Sequence, residues 1–294
     1  MGDTEQLEVA RGQGRQMALW ADDPIAEDPD YLSRQLITYI GNKRSLLGQI
    51  GSAVERVKRR LGKNRLRVLD AFSGSGVVSR FLKGHACFLI SNDIEDYAAV
   101  TARCYLRNKS TVDLAAISRI VRDLNARVTT ASLPPGFIED LYSPQDETRI
   151  TKEDRVFYTR DNARRLDNYR RLIESEPPEI RDMLLGPLVS QASIHANTAG
   201  IFKGFYKNRH TKIGQFGGSG SDALFRILGQ IRLEAPVLSQ FECDYEVLQE
   251  NANKAVLNLK DLDLNRYSRF SIKSCVKCPC SLSRSPGPLS QGWS

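Results

Sequence analysis

No apolar run reaches the roughly 18 residues needed to cross a bilayer, and Met1 to Trp20 shows no basic end followed by an apolar stretch. Membrane insertion and export are therefore not indicated, and a soluble globular protein is expected. Cysteine is sparse: six residues, Cys87, Cys104, Cys243, Cys275, Cys278 and Cys280, in 294. That excludes a disulfide scaffold and makes a reducing cytoplasm the expected compartment. No internal repeat is evident. Acids are absent altogether from Asn265 to Ser294.

Against these absences, 41% hydrophobic residues are ample for a buried core, and the length suits two domains or one domain with a large insertion. The 42 basic residues outnumber the 35 acidic ones, giving a net charge of +7, which mildly favours a polyanionic partner. Residues 1–30 are acidic on balance, and basic residues gather in the middle of the chain. Arg160, Arg164, Arg165, Arg170 and Arg171 form one cluster, which reads equally as a solvated helix face or a binding surface. Lys203, Lys207, Arg209, His210 and Lys212 form another, interleaved with Phe202, Phe205 and Tyr206 and broken by Gly204 and Gly214. This second pattern suits a loop or hairpin that contacts phosphates and bases.

The segment Arg67 to Asp93 carries the clearest chemistry. Val68 to Phe72 reads as a strand, Ser73-Gly74-Ser75-Gly76 as a turn opening a helix, and Ala86 to Ile90 as a second strand leading into Asn92-Asp93. Glycines directly after a parallel strand let the backbone approach a ligand, and an acid ending the next strand can bind two ribose hydroxyls. The third glycine of the dinucleotide fingerprint is missing, since Val78 and Ser79 stand there, so an adenosyl cofactor is favoured over a nicotinamide one. The bland alternative is a tight turn that only packs a helix on a sheet.

Upstream, Leu36 to Ile40 reads as extended, and Gly41-Asn42-Lys43-Arg44 opens a helix with Leu46, Leu47, Ile50, Val54, Val57 and Leu61 on one face. Such a turn is either an anion or carboxylate site or a plain helix start with an exposed lysine. From about residue 111 the α/β alternation is lost, punctuated by Pro134-Pro135-Gly136, Pro177-Pro178 and Gly217-Gly218-Ser219-Gly220. Leu224, Ile227, Leu228 and Ile231 make a short helical stripe, and the sheet pattern resumes near Val237. The expected organisation is an N-terminal arm (1–30), the first part of an α/β core (31–110), an insertion (111–235), a return to the core (236–264) and a tail (265–294).

In that order, Tyr39-Ile40-Gly41-Asn42-Lys43-Arg44, Asp70-Ala71-Phe72-Ser73-Gly74-Ser75-Gly76 and Ser91-Asn92-Asp93 resemble the opening motifs of adenine-specific DNA methyltransferases of the DNA adenine methylase type. Asn197 to Tyr206 and Thr211 to Gly218 resemble a recognition-side segment of a restriction-modification branch of that family. The resemblance, covering about residues 33 to 264, implies a Rossmann-like S-adenosylmethionine-dependent core with a target-recognition insertion. It implies that Phe72, Gly74 and Gly76 line S-adenosylmethionine, that Asp93 holds its ribose hydroxyls, and that Lys43 with Asp70 contacts its methionine end. It further implies double-stranded DNA as partner, met by Lys203, Tyr206, Lys207, Arg209 and Lys212, and a cognate restriction endonuclease alongside.

The chain departs from the family at the catalytic motif. Neither Pro134-Pro135 nor Pro177-Pro178 is preceded by Asp or Asn or directly followed by an aromatic, so the family's Asp-Pro-Pro-Tyr occurs nowhere in the chain. The motif is expected after a strand begun by Asp261-Leu262-Asp263-Leu264, where Asn265-Arg266-Tyr267 stands instead, and Asn251 occupies a place where relatives commonly have an acid. No catalytic residue is therefore assigned, and the tail is expected to be a disordered, out-of-frame or substituted segment. Cys275, Cys278 and Cys280 lack a fourth ligand unless His195 or His210 supplies it, so no metal is assigned. Two functions remain: a site-specific adenine-N6 methyltransferase whose present chain is inactive, or a DNA- and cofactor-binding protein completed by another chain. An RNA methyltransferase is a weaker third.

Overall fold

The computed structural model describes residues 26–34, 36–37, 43–130, 134–198, 204–218 and 221–261. Thr38 to Ile40 of the extended stretch, the Gly41-Asn42 pair, Lys203, Ser219-Gly220 and everything from Leu262 onward, including the three tail thiols, lie outside those residues. The described residues up to 255 fall in one compact unit, and those from 256 in a second.

The first unit contains a parallel three-stranded sheet in the order β1-β2-β3, with β1 Leu66–Asp70, β2 Ala86–Asn92 and β3 Asp244–Leu248. Short helix α1, Pro29–Ser33, and α2, Leu47–Leu61, precede the sheet. Helix α3, Val77–Lys83, makes the crossover from β1 to β2, and α4, Asp96–Tyr105, follows β2. The mixed α/β fold with a parallel sheet is the class expected. β1 stops at Asp70, two residues short of the expected end, because its last ladder pair is Asp70 with Ser91 and Ala71-Phe72 already turn away. Leu89 is fully buried where α3 and α4 cover β2, and Phe81, Leu82, Ala86, Ala102 and Leu106 pack around it. Lys83, also fully buried, donates from Nζ to the carbonyls of Leu106 and Arg107, both at 2.8 Å, and so closes the end of α4.

Between β2 and β3 the chain forms a helical layer: α5, Leu114–Thr130; α6, Phe137–Tyr142; α7, Arg160–Glu174; α8, Pro178–His195; and α9, Ser221–Leu228. Its core joins Val121, Leu124 and Val128 of α5 to Leu166, Tyr169 and Ile173 of α7 and Met183, Leu184 and Leu188 of α8. Three expectations need correction here. β3 begins at Asp244 rather than near Val237, because the preceding segment spends polar groups on side chains: Ser239 and Gln240 bind the Glu27 carboxylate, and Cys243 binds Asn108. The helical stripe ends early, since α9 stops at Leu228 and Ile231 lies beyond it; Ile227 and Ile231 are buried while Leu224 and Leu228 are exposed. Asp261 ends a helix, α10, Ala252–Asp261, rather than starting a strand; Asn251 caps it by accepting the Asn253 N–H at 3.0 Å.

Three arginines of the α7 cluster are paired with acids of the same chain, while Arg170 and Arg171 stay exposed. Arg164 meets Glu139 through Nε at 2.7 Å, Arg160 reaches the same buried carboxylate at 3.0 Å, and Arg165 pairs with Asp161 at 2.8 Å. The two guanidiniums hold the Glu139 carboxyl below the usual carboxylate range. Asp167 accepts the N–H groups of Ile138 and Glu139, each at 2.9 Å, so α6 and α7 are clamped by charge at both ends of one contact.

Candidate functional site

The ends of β1 and β2 carry the glycine turn and the acid, and the structure brings them together. Gly74 (φ 50°) and Gly76 (φ 72°) are left-handed, where a side chain would be strained. The Gly74 N–H donates to Asp93 Oδ2 at 2.7 Å, and Glu95 N–H donates to Oδ1 at 3.1 Å. A carboxylate has about four acceptor sites, so Asp93 keeps capacity for further donors. The turn is tied to the sheet by Ser73 N–H donating to the Asn92 carbonyl at 2.9 Å.

Asp70 sits inward of this rim. Its Oδ2 accepts Ser79 Oγ–H at 2.6 Å, and that hydroxyl lies 2.9 Å from Ser91 Oγ. Burial raises the Asp70 carboxyl pKa, with the Ser79 hydrogen bond working against it. Its hydrogen-bond partners, the Ser79 hydroxyl and the Phe72 and Ser79 backbone N–H groups, belong to the turn and α3. Lys43 stands exposed at the start of the 3-10 turn Arg44–Leu46, accepting the Leu46 N–H at its carbonyl at 2.9 Å. Phe72, expected to line a cofactor, is 80% exposed.

The sequence reading assigned no role to two residues here, Ile94 and Asn92. Ile94, directly after Asp93, is 63% exposed, so the turn and the acid are each neighboured by an uncovered apolar side chain. Asn92 is buried and ties three segments together: Nδ2 donates to the carbonyls of Ala71 at 3.1 Å and Glu250 at 3.0 Å, and Oδ1 accepts Glu250 N–H at 3.1 Å. A polar residue at a strand end was the available signal. A cavity of about 390 Å³ opens elsewhere, among Tyr31, Arg34, Arg80, Tyr105, Pro187 and Glu234, and none of the turn residues lines it.

The second candidate surface is a hairpin. Antiparallel bridges join Thr198 to Phe205 and Lys207 to Gly214. The tip closes by Asn208 N–H donating to the Ile213 carbonyl at 2.8 Å, while Asn208 Oδ1 accepts from His210 at 2.9 Å and Thr211 at 3.1 Å. Lys207, Arg209, His210 and Lys212 are exposed, Lys212 with φ 61°. Lys207 Nζ lies 5.0 Å from the Phe205 ring centre, and half-buried Tyr206 packs on Gly218.

Asn197 fixes the hairpin root. Its Nδ2 donates to the carbonyls of Val156 at 2.6 Å and Gln215 at 2.8 Å, and its Oδ1 accepts Gly217 N–H at 2.9 Å. Gly214 permits this packing, because a Cβ there would lie 2.5 Å from Val156 Cγ2. Phe157 meets Phe205 edge-on with ring centres 5.1 Å apart. Among the described residues no helix is long and apolar enough to cross a membrane.

Comparison with known proteins places the chain among relatives. The chain is 28% identical over 180 residues to the Type II methyltransferase M.CviAII of Paramecium bursaria Chlorella virus 1, covering 58% of this chain and 49% of that protein. It is 25% identical over 232 residues to the Type II methyltransferase M.NlaIII of Neisseria lactamica, covering 76% of this chain and 61% of that protein. It thus spans about half to three-fifths of these relatives' lengths. No solved structure matches it. The family described as D12 class N6 adenine-specific DNA methyltransferase matches residues 39–216, which include both the glycine turn and the hairpin. With more than half of its length matched, the chain belongs to the D12 class N6 adenine-specific DNA methyltransferases.

Proposed function

We propose that this chain binds S-adenosylmethionine at the Gly74–Asp93 rim and double-stranded DNA at the 204–217 hairpin, as the cofactor- and target-binding part of an adenine-N6 methyltransferase. The hydrogen bond from Gly74 N–H to Asp93 carries the reading, because it sets a bare backbone turn and a carboxylate side by side at the ends of adjacent parallel strands. The residues fit an adenosyl cofactor. Asp93 would accept the ribose hydroxyls, Gly74 and Gly76 leave room for close approach, and exposed Phe72 and Ile94 offer apolar faces to a base. Lys43 and Asp70 are assigned to the methionine end on the family resemblance. When bound, S-adenosylmethionine supplies an electrophilic methyl group.

The chain's own residues position the partners. Asn92 and Ser73 hold the rim in place, and Lys207, Arg209 and Lys212 meet phosphates with Tyr206 beside them, while Phe205 stays with the hairpin root; Lys203 is assigned with them from the sequence. The adenine amine needs acceptors for its hydrogens, since its lone pair is delocalised into the ring, and the 294 residues contain no Asp-Pro-Pro-Tyr. The polypeptide as written is therefore proposed to bind both partners and to transfer methyl groups poorly. The cellular setting that goes with this reading is cytoplasmic, beside a restriction endonuclease of the same specificity.

A second reading, a binding subunit completed by another chain, has one observation in its favour. Among the described residues β1 has a strand partner on one side only, and Val68 and Leu69 are half-buried where a parallel strand is usually covered on both faces. Both readings are tested by transfer of labelled methyl from S-adenosylmethionine to duplex DNA. The unmodified chain is run beside a chimera carrying a family-type acceptor segment after Leu264. Labelling by the chimera alone is expected; robust labelling by the unmodified chain would mean that other residues accept the amine's hydrogens.

A further inference from the structure

Helix α9 leaves an apolar ridge beside the basic hairpin. Phe225 is 88% exposed, Leu228 50% and Leu224 39%, and the spacing of these residues puts them on one face of the helix. With Gly229 they border an open groove of about 440 Å³. The opposite face is fully engaged. Ile227 is buried, Arg226 donates to the carbonyls of Ile194 and Ala196, and Asn162 Nδ2 donates to the Gly229 carbonyl at 2.8 Å. An uncovered phenyl ring on so firmly held a helix is a feature to account for.

Helix and hairpin share a root. Ala196 directly precedes the Asn197 clamp, and a Cβ on Gly217 at the hairpin's end would lie 3.2 Å from Leu224 Cδ1. The ridge is therefore held in fixed relation to the cationic loop. Over residues 204–233 the chain carries Lys207, Arg209, Lys212, Arg226 and Arg232 against the single acid Asp222. That balance suits a polyanion whose interior is aromatic, which is what a nucleic-acid duplex offers once a base step opens.

We propose that Phe225, backed by Leu224 and Leu228, inserts against the base stack of DNA held by the hairpin, giving a non-electrostatic contact that opens the duplex next to the target. This deepens the DNA-binding reading above and rests on it. The ring would contribute stacking, which is indifferent to sequence and to salt, while the hairpin supplies the salt-dependent part.

The full-length chain is titrated with a mixed-sequence duplex containing 2-aminopurine, at several salt concentrations, as wild type, Phe225→Ala, Phe225→Trp and Lys207→Ala/Lys212→Ala. Phe225→Ala should weaken binding roughly ten-fold with an unchanged salt slope and lose the rise in 2-aminopurine fluorescence, and Phe225→Trp should restore both. The lysine variant should instead flatten the slope. Wild-type affinity in Phe225→Ala would overturn the proposal while leaving DNA binding intact. So would sedimentation showing that Phe225→Ala dissociates a dimer, since the ridge would then be a self-interface. No DNA binding by the wild type would overturn the DNA-binding reading, and this proposal with it.

Discussion

Replacing Asn197 with alanine should loosen the hairpin while leaving the α/β core folded. The side chain makes two donated bonds and one accepted bond, to Val156, Gln215 and Gly217, and all of it is buried. Truncation orphans those three backbone groups; the contacts to Val156 and Gly217 are wholly enclosed, whereas the Gln215 carbonyl is reached by solvent. At about 1 to 3 kcal/mol for a buried group left unpaired, two full penalties and a partial one give a local cost of about 3 to 5 kcal/mol. A total stability of about 5 to 15 kcal/mol survives such a loss. Native-state hydrogen exchange should therefore show the Gln215 and Gly217 amides losing protection by at least a hundred-fold, with Leu89 and Ile90 nearly unchanged. DNA affinity should fall in parallel. Equal protection at Gly217 in both proteins would refute the claim that this one amide fixes the hairpin.

Asn92→Ala removes the ties from β2 to Ala71 and Glu250 and should cost about 2 to 4 kcal/mol in urea denaturation, with cofactor affinity falling further than that of a core variant of equal stability. Replacing Lys207 and Lys212 together should reduce the salt slope of duplex binding by roughly two charges, whereas Arg160→Ala and Arg164→Ala should leave the slope alone, because those guanidiniums serve Glu139. Burial, and then the Lys58 ammonium 2.9 Å away, depress His85 from 6.5 to about 4. The folded chain thus binds fewer protons than the unfolded one between those values, so stability should fall as pH drops from 6.5 towards 4. The loss, about 2 to 3 kcal/mol, should be read as a lowered midpoint in denaturation at pH 4.5 and should vanish in His85→Leu.

What the sequence made legible was local. The Gly74 to Gly76 turn, the crossover helix and Asp93 lie within one short βαβ unit, where turn chemistry and strand pattern fix the geometry without help from the rest of the chain. The hairpin was legible for the same reason, through Gly204, Gly214 and the alternating basic and aromatic residues. Features set by distant partners were not. Nothing near Arg164 announces that Glu139 will bury its carboxylate against it, and nothing near Leu224 says that only Ile227 and Ile231 find a core. The late start of β3 depends on Glu27, 212 residues before Ser239, capturing that segment's polar groups. Asn92 and Asn197 could be seen as motif letters, but their roles as clamps follow only from the backbone groups that surround them.

The central claim is that Asp93 and the glycine turn form the cofactor site, and titration calorimetry with S-adenosylmethionine tests it most directly. Wild type, Asp93→Ala and a Glu55→Ala control should be compared, all checked for folding, since Asp93 also holds Gly74. The wild type should bind and the control should match it, while Asp93→Ala should lose about 1 to 3 kcal/mol of affinity. Equal binding by wild type and Asp93→Ala would remove the carboxylate from the site and contradict the account.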